Sequence, residues 1–441
     1  MINLIIPIIY LMFDSCSTVF QPGNMTVYDG DACVLTTRVE IRYRGASALQ
    51  FQKKSFGIKL LNEDGTDRDF SFFDMRSDNS WILDAMACDK SRMRNRVCMD
   101  LWRDFSVSPY YSTTEPKQKN YTDGRFVEVY VNGDYQGIYC LSEKIDRKQL
   151  KLKKFTTNEM RGALYKTVKY ANLHSLDEAF YHFSNDSVSW QGIEFQYPDM
   201  SEQGPCDWTP LVNLIRYLNF SDSVEINRSF TNRIDVPLWV DYFLFVDLIM
   251  GDDNISKNQY LYFYDTSMPS KLCIAPWDLD ATIGRDWLGN ENDANREMNL
   301  SNWVNYHLSY VYTPTFTAYK DRYFELRDNL FHPDSLKSRF SHYFIHLHDV
   351  LLKEQERWSG VDGIDLDFDN EHEYIKTWID KRIEFLDHQY SHPLSIEAFK
   401  KFEKFERFEK FNLAGQRVSD DYKGIYIIKG KKYINNGSIR H

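Results

Sequence analysis

Apolar and polar residues alternate in two runs within residues 37–61, TRVEIRYRGASALQFQKKSFGIKLL. A period of two is typical of strands with one buried face, and the small residues between the runs predict a turn. Residues 126–146 predict a second pair of strands, joined at the turn signal Asn132-Gly133. One further strand is predicted in residues 163–170. The first third of the chain is therefore expected to be rich in β-structure.

Helical spacing of apolar residues first runs through residues 81–105. Four residues of this segment share one face: Met93, Val97, Leu101 and Phe105. The pattern then weakens over residues 171–235, which predict mainly loops and one helix near 208–219. This part of the chain is thus expected to contain long connections.

Residues 236–250 are apolar on nearly every side and predict a core helix that stops at Gly251. Two short strands are predicted after it, in residues 259–265 and 271–278, joined as a hairpin. Helices are expected to dominate residues 316–390. The coarse order is a β-rich first part with one helix, then a helical remainder with a pair of strands near its centre.

This order predicts an α+β fold with two lobes. The predicted domain covers residues 1–395, with a β-rich N-terminal lobe over about 1–170 and a mainly helical C-terminal lobe over about 171–395. Residues 396–411 predict a linker, because Phe recurs at every third position and such a stripe drifts around a helix of 3.6 residues per turn. Residues 412–441 form a predicted small tail of strands and turns.

The apolar N-terminal stretch LIIPIIYLMF has two interpretations, a signal peptide or a buried first strand. No Lys or Arg precedes it, and Asp14 stands just before Cys16, which favours the strand. No run approaches the roughly 20 apolar residues that a membrane helix needs. We therefore expect a buried first strand and no transmembrane segment.

Composition narrows the class of protein. Among 441 residues, 16% are aromatic, which favours a packed globular chain over a disordered one. The formal net charge of -11 argues against nucleic acid as a partner, because no broad basic surface would release counterions. Seven scattered cysteines, none in a C-x-x-C pair, favour buried thiols over a zinc site.

Carboxylates cluster at the predicted hairpin near the centre of the second half. Asp253 and Asn258 lie in the loop before it, and Asp278 and Asp280 follow its second strand in the stretch APWDLDATIG. Oxygen ligands of this kind suit Mg²⁺, which usually takes one or two carboxylates plus substrate phosphates. The pattern D-x-x-x-x-N, two strands and then Asp is also the order of a protein-kinase catalytic loop and its metal-binding Asp. Solvated turn residues are the alternative interpretation.

The first predicted hairpin can supply groups for phosphate binding. Its turn at Arg44 would let the backbone approach a phosphate closely, and Lys53 and Lys54 stand on the return strand. Successive strand residues face opposite sides, so at most one of the two lysines can point into a cleft, and we favour Lys54. The predicted helix over 81–105 holds Asp but no Glu to pair with that lysine, which departs from ordinary kinases.

Five blocks of the sequence resemble the CotH family of spore-coat-type atypical kinases. They are RGASALQFQKKSFGIKL, DKSRMRNRVCMDL, FVEVYVNGDYQGIYCLSEKI, NISKNQYLY and IAPWDLDATIG, and they stand in the order found in that family. Together they cover roughly residues 40–290. The chain departs from the family pattern at Ala46, where the family has Asn in its R-G-N-S-S turn.

This resemblance implies a bilobal protein-kinase-like fold that binds ATP and Mg²⁺, or Mn²⁺, and phosphorylates Ser or Thr of a protein substrate not yet identified. Carried over by position, Asp253 is the catalytic-loop carboxylate and Asp278 the metal ligand, with Asn258 and Asp280 assisting. ATP would contact the remaining candidates: Lys54, Lys53, Arg44 and Arg94. Arg94 lies in the helical block and would bind phosphate or brace a loop.

Two other functions stay open at this stage. One is a metal-dependent glycosyltransferase that uses a nucleotide sugar, and the other is a catalytically silent coat protein or adhesin. Whether the group transferred is phosphoryl or nucleotidyl also stays open, since both need the same metal-phosphate cradle. The tail FNLAGQRV…KGIYIIKGKKY resembles C-terminal segments of secreted proteins, which implies an extracytoplasmic location, secreted or at the cell surface.

Overall fold

The computed structural model of the protein describes residues 6–156, 160–198, 206–315 and 317–391, and the backbone of four strands between 410 and 435. Two compact units are present, Met1–Gln389 and Tyr390–His441. The first unit contains every candidate site residue. In the second, β15 (Lys410–Asn412), β16 (Arg417–Val418), β17 (Gly424–Ile428) and β18 (Lys431–Asn435) form an antiparallel sheet. Residues 392–409, most of the predicted linker, lie outside the described residues.

A closed barrel of seven strands forms the first part of the larger unit, in the order β1-β2-β3-β4-β7-β9-β8. Neighbouring strands are antiparallel except β1 and β8, which close the barrel in parallel. The barrel strands are β1 (Ile8–Met12), β2 (Gln21–Asp29), β3 (Ala32–Arg44), β4 (Ser55–Leu61), β7 (Ser80–Asp84), β8 (Gly124–Val131) and β9 (Asp134–Ser142). A separate short pair, β5 (Phe70–Ser71) and β6 (Ser77–Asp78), lies between β4 and β7.

Alternation along these strands fills the barrel with apolar side chains. In β1, Ile9 and Leu11 are buried, whereas Tyr10 and Met12 are exposed. The predicted first strand is therefore present. The hairpins predicted in residues 37–61 and 126–146 are also present, as β3–β4 and β8–β9.

The helix predicted over 81–105 forms only in its second half, as α1 (Arg94–Phe105). The first part of that segment is strand β7, because Trp81 and Ile82 pair with β4 and Ile82 also pairs with β9 inside the closed barrel. Closing the barrel satisfies backbone groups on both sides of β7, which outweighs the local helical spacing.

A second, antiparallel sheet carries the central hairpin. Its order is β11-β12-β10-β13-β14. The strands are β10 (Ala163–Thr167), β11 (Ser189–Trp190), β12 (Ile193–Tyr197), β13 (Gln259–Phe263) and β14 (Cys273–Pro276). The register of β13 and β14 pairs Gln259 with Pro276, so the start of one strand lies beside the end of the other.

Nine α-helices occur in the described residues. They are α1, α2 (Arg147–Leu150), α3 (Thr209–Phe220), α4 (Ser223–Ser229), α5 (Val236–Ile249), α6 (Asn305–Tyr310), α7 (Ala318–Arg327), α8 (Pro333–Trp358) and α9 (Phe368–Ser391). The predicted core helix is α5, in which every residue from Leu238 to Ile249 is buried. Within the described part of the chain, no helix combines the length and hydrophobicity needed to cross a bilayer.

The fold is thus α+β, with a β-rich first part and a mainly helical second part, as predicted. The exact lobe boundary near residue 170 and the domain end near 395 stay predictions.

Candidate active site

The candidate site is built on the two ends of the β13–β14 hairpin that meet at one edge of the sheet. Asn258 directly precedes β13, and Asp278 lies two residues beyond β14. The Trp277 amide donates a hydrogen bond to the Asn258 carbonyl at 3.1 Å, which locks the two ends together. Both Asn258 (φ 53°) and Asp278 (φ 60°) are left-handed, a conformation that Asn and Asp tolerate best among residues other than Gly.

The loop after α5 brings Asp253 to the same edge. Asn254 donates from its side-chain amide to the Trp277 carbonyl at 2.7 Å and so ties the loop to the end of β14. One carboxylate oxygen of Asp253 accepts from Lys257 at 2.8 Å, and the other accepts from the Tyr170 hydroxyl. The neighbouring Asp252 pairs with Arg296 at 2.6 Å and keeps nearly half of its side chain exposed. Asp253 is therefore the carboxylate of this pair that belongs to the site.

A cavity of about 600 Å³ opens at this edge and reaches between the β3–β4 turn, the end of β7 and the β13–β14 hairpin. Its volume is within the range of small-molecule sites in proteins. Five of the predicted site residues line it: Arg44, Asp253, Asn258, Asp278 and Asp280. The turn after Arg44 contributes backbone to the wall through Gly45, whose φ of 112° is disfavoured for residues with a side chain.

A further carboxylate, Asp84 at the end of β7, also lines the cavity and was not among the residues predicted from the sequence. Its Oδ2 accepts from the Asn95 side chain at 3.0 Å, and the Asn95 Oδ1 accepts from the Leu279 amide at 3.2 Å. Asn95 therefore links the barrel to the loop of Asp278 and Asp280. The available signal in the sequence was an Asp at the end of a short apolar run. The helical spacing assigned to residues 81–105 concealed that run.

The carboxylates of Asp84, Asp278 and Asp280 repel one another. Burial and then the charge of Asp278 raise the pKa of Asp280 well above its ordinary value, and the hydrogen bond from Cys88 at 2.8 Å only partly opposes this. Asp278 faces the water of the cavity, yet crowding by protein and then the charge of Asp84 raise its pKa too. A divalent cation would relieve this repulsion, since opposite charge favours the ionised carboxylates.

The donor set fits a cation bound together with phosphates. Carboxylate and amide oxygens are the ligand types that Mg²⁺ prefers, and it commonly completes its octahedron with water and phosphate. In the described residues, no group of three or more His, Cys, Asp or Glu side chains is arranged to hold a metal ion unaided. Asp278, Asn258 and Asp280 can therefore supply only part of a coordination shell.

Cationic side chains face these carboxylates. Lys166 in β10 lies beside Tyr260 in register, and its ammonium stands 5.5 Å from the centre of the Trp277 ring. The Arg44 guanidinium contacts the same ring at 5.8 Å. Burial lowers the pKa of Lys166, whereas the charge of Asp278 acts in the opposite direction. Trp277 thus holds two cations near Asp278.

Lys166 was not among the residues predicted from the sequence. The available signal was one charged residue between Tyr165 and Thr167 in an otherwise apolar strand. A buried strand that retains a Lys places it next to an anionic partner or ligand, because an isolated buried charge is costly.

Neither of the two predicted lysines of the first hairpin is brought to the cavity. Lys53 is buried under α8, where its ammonium donates to Glu354 at 2.7 Å and to the Ile138 carbonyl at 2.6 Å. Lys54 donates to the Leu49 carbonyl at 2.6 Å and so braces the short helical turn Ser47–Gln50 between β3 and β4. Lys53 is thus covered by α8, and Lys54, the lysine favoured for the cleft, is held at the turn instead.

Arg94 is also drawn into the protein interior. It is fully buried and pairs with Asp89 at 2.7 Å and Glu371 at 2.6 Å. It further donates to the Thr282 carbonyl at 2.9 Å and to the Ile283 carbonyl. Of the two roles considered for Arg94, the structure therefore favours bracing, here of the loop that follows Asp280.

Residues 41–386 match the family of CotH kinase proteins, which is more than half of the chain. The chain belongs to the CotH kinase protein family. This CotH family member is also similar to the inner spore coat protein H of Bacillus subtilis (strain 168), with 24% identity over 250 residues. The match covers 56% of this chain and 59% of that relative, so the chain spans less than two thirds of the relative's length.

Proposed function

We propose that this CotH family protein is a kinase that uses ATP and Mg²⁺, or Mn²⁺, to phosphorylate Ser or Thr of a partner protein. The observation that carries the proposal is the meeting of Asp253, Asn258 and Asp278 at one edge of the β13–β14 hairpin, facing a single cavity. Their order and spacing match the catalytic and metal-binding loops of protein kinases.

Each residue has a role that its position supports. Asp278 and Asn258, assisted by Asp280, would hold the metal ion, which when bound neutralises charge on the phosphates. Lys166 and Arg44, held on Trp277, would neutralise phosphate charge from the opposite side. Asp253 would orient the acceptor hydroxyl and accept its proton. Phosphoryl transfer depends mainly on such positioning and charge stabilisation.

The proposal extends to the fold as a kinase-like arrangement of two lobes. Residues of the barrel and α1 line one side of the cavity, and residues of β10 and the β13–β14 hairpin line the other. ATP would lie between them. Since the relative is named a spore coat protein, we also propose a coat or surface location for this chain.

The decisive experiment removes the metal ligand without removing the side chain. Asp278→Asn should abolish the rise in melting temperature that Mg²⁺-ATP gives the wild-type protein, and should lower phosphoryl transfer at least about 100-fold. Asp252→Asn is the matched control, since its carboxylate pairs with Arg296 at 2.6 Å on the surface. Equal Mg²⁺-ATP binding by Asp278→Asn and the wild type would refute the proposed metal site.

The same melting assay separates the alternative functions. A rise with UDP- or GDP-sugars but not with ATP would replace the kinase by a glycosyltransferase. No rise with any nucleotide, and no phosphate or nucleotidyl adduct on proteins by mass spectrometry, would leave a coat protein without catalysis.

The role of Lys166 has its own test. Lys166→Met should weaken Mg²⁺-ATP binding roughly tenfold, the effect of removing one charged hydrogen-bond donor from a phosphate. Lys169→Met is the control, because Lys169 is exposed in the segment that follows the same strand. Equal affinities of the two variants, measured by calorimetry, would remove Lys166 from the phosphate site.

A further inference from the structure

Tyr170 lies at the rim of the site and donates its hydroxyl to Asp253. Its ring is largely outside the protein, with 62% of the residue exposed. The hydroxyl therefore reaches the carboxylate from the solvent side, while Asp253 and Lys257 line the cavity on the other side. A protein acceptor arrives from solvent, and the exposed Tyr170 borders that solvent.

Asp253 has little capacity left for another partner. Lys257 occupies one carboxylate oxygen at 2.8 Å, Tyr170 occupies the other, and only 15% of the side chain is exposed. A carboxylate oxygen can accept more than one hydrogen bond, but each needs an open direction of approach. The Tyr170 ring covers the outer direction.

The segment that carries Tyr170 is attached to the loop of Asp253. The Ala171 amide donates to the Ser256 carbonyl at 3.1 Å, and the Lys257 ammonium stands 5.8 Å from the centre of the Tyr170 ring. These contacts hold the Tyr170 hydroxyl at the Asp253 carboxylate when no acceptor protein is bound. The exposed ring has few partners of its own, so an incoming chain can displace it.

We propose that the Tyr170 hydroxyl occupies the acceptor-hydroxyl subsite of Asp253, and that a Ser or Thr hydroxyl of the acceptor displaces it. This inference rests on the proposed function of Asp253. Tyr170 acts as an internal competitor: it has the chemistry of an acceptor, a hydroxyl that donates to the carboxylate, on the chain of the enzyme itself. The subsite is consequently one that takes an aliphatic or phenolic hydroxyl.

The test replaces only the hydroxyl. Tyr170→Phe should lower the KM for a protein acceptor, with dephosphorylated casein as the probe, roughly tenfold, the effect of one hydrogen bond to a charged group. The affinity for Mg²⁺-ATP should not change, and Mg²⁺-dependent hydrolysis of ATP by water should rise. Tyr10→Phe, an exposed tyrosine on β1, is the control and should match the wild type.

A second measurement needs no nucleotide. Hydrogen exchange at amides 168–174 should become faster in Tyr170→Phe and in Asp253→Ala, because the first removes the donor and the second removes the acceptor of the same hydrogen bond. Unchanged exchange in both variants, or an unchanged KM and hydrolysis rate in Tyr170→Phe with normal nucleotide binding, would overturn the inference. Failure of the wild type to bind Mg²⁺-ATP would instead count against the proposed function. Hydrogen exchange would still test the contact between Tyr170 and Asp253 in that case.

Discussion

Two groups of charged side chains in this protein differ in how their charges are balanced. Under α8, the carboxylate of Glu354 accepts from Lys53 at 2.7 Å, from Arg92 at 2.7 Å and from the Ile138 amide at 2.9 Å. At the cavity, Asp84, Asp278 and Asp280 face one another with like charge. In the first group each buried cation is paired with the carboxylate, whereas in the second Lys166 and Arg44 lie near Asp278 but repulsion among the carboxylates persists.

The pKa values record this difference. Burial acts to raise the pKa of Glu354, but Lys53 and Arg92 outweigh it and hold that pKa below its ordinary value. For Asp280, burial and neighbouring carboxylates act in the same direction and raise its pKa. Charge that is buried and paired within the chain is therefore architectural here, whereas carboxylates that crowd one another at a cavity indicate a place for a ligand.

The largest effect is expected from breaking the paired group. Glu354→Ala should lower the free energy of unfolding by about 3–5 kcal/mol, because it leaves the buried cations Lys53 and Arg92 without their carboxylate. Denaturant unfolding measures the change. Glu356→Ala, at an exposed position of α8, should stay within about 0.5 kcal/mol of the wild type. Similar losses of stability in both variants would show that Glu354 contributes no more than an exposed position of α8. The contrast between the paired group and the cavity carboxylates would then fail.

The like-charged group should respond with the opposite sign. Without metal at pH 7, Asp280→Asn should raise the free energy of unfolding by up to about 1 kcal/mol, the size of a solvent-screened charge interaction. Added Mg²⁺ should stabilise the wild type more than the variant. A loss of stability in the metal-free variant would show that Asp280 is an architectural residue.

The pH dependence sharpens the same contrast. The pKa of Asp280 is raised in the folded state, so the folded state binds a proton more readily than the unfolded state. Its stabilising contribution is present below the ordinary carboxyl range and is lost as pH rises through the raised pKa. Metal-free wild type should therefore lose stability over that interval, and Asp280→Asn should lose less. Melting curves across pH 4 to 8 measure the difference, and parallel curves would contradict the assignment.

The smallest effect on nucleotide binding is expected at Lys54, which belongs to neither group. Lys54→Met removes one hydrogen bond to the Leu49 carbonyl and should lower the free energy of unfolding by about 0.5–1.5 kcal/mol. Affinity for Mg²⁺-ATP should fall only slightly, through loosening of the turn that follows Arg44. A loss of binding as large as that of Lys166→Met would return Lys54 to the phosphate site.

Local sequence predicted the fold class, the main hairpins and the core helix, but not β2, β7, β11, β12 or α4. The hairpins β3–β4, β8–β9 and β13–β14 and the core helix α5 follow from patterns that each lie within one short segment of the sequence. The start of the predicted helix over 81–105 is strand β7 instead, because it pairs with strands distant in sequence. Barrel closure is a long-range property that no window of the sequence contains.

The residues of the candidate site also divide into those that the local sequence could indicate and those that it could not. Asp253, Asn258, Asp278 and Asp280 could be selected because short spacing along a hairpin places them at one edge, and the structure lines one cavity with all four. Asp84 and Lys166 come from other strands and could not be selected by spacing. The local pattern favoured Lys54 for the cleft and kept Lys53 as a further candidate. It could not show that α8, some 300 residues later in the chain, covers Lys53.

Taken by itself, the sequence determined which residue types are present and which short segments become strands, turns or helices, since those choices depend on neighbours along the chain. Only the tertiary structure decided which charges are paired and which face a cavity. Electrostatic energy depends on distance in space and on burial, and both are set by segments that meet from far apart in the chain.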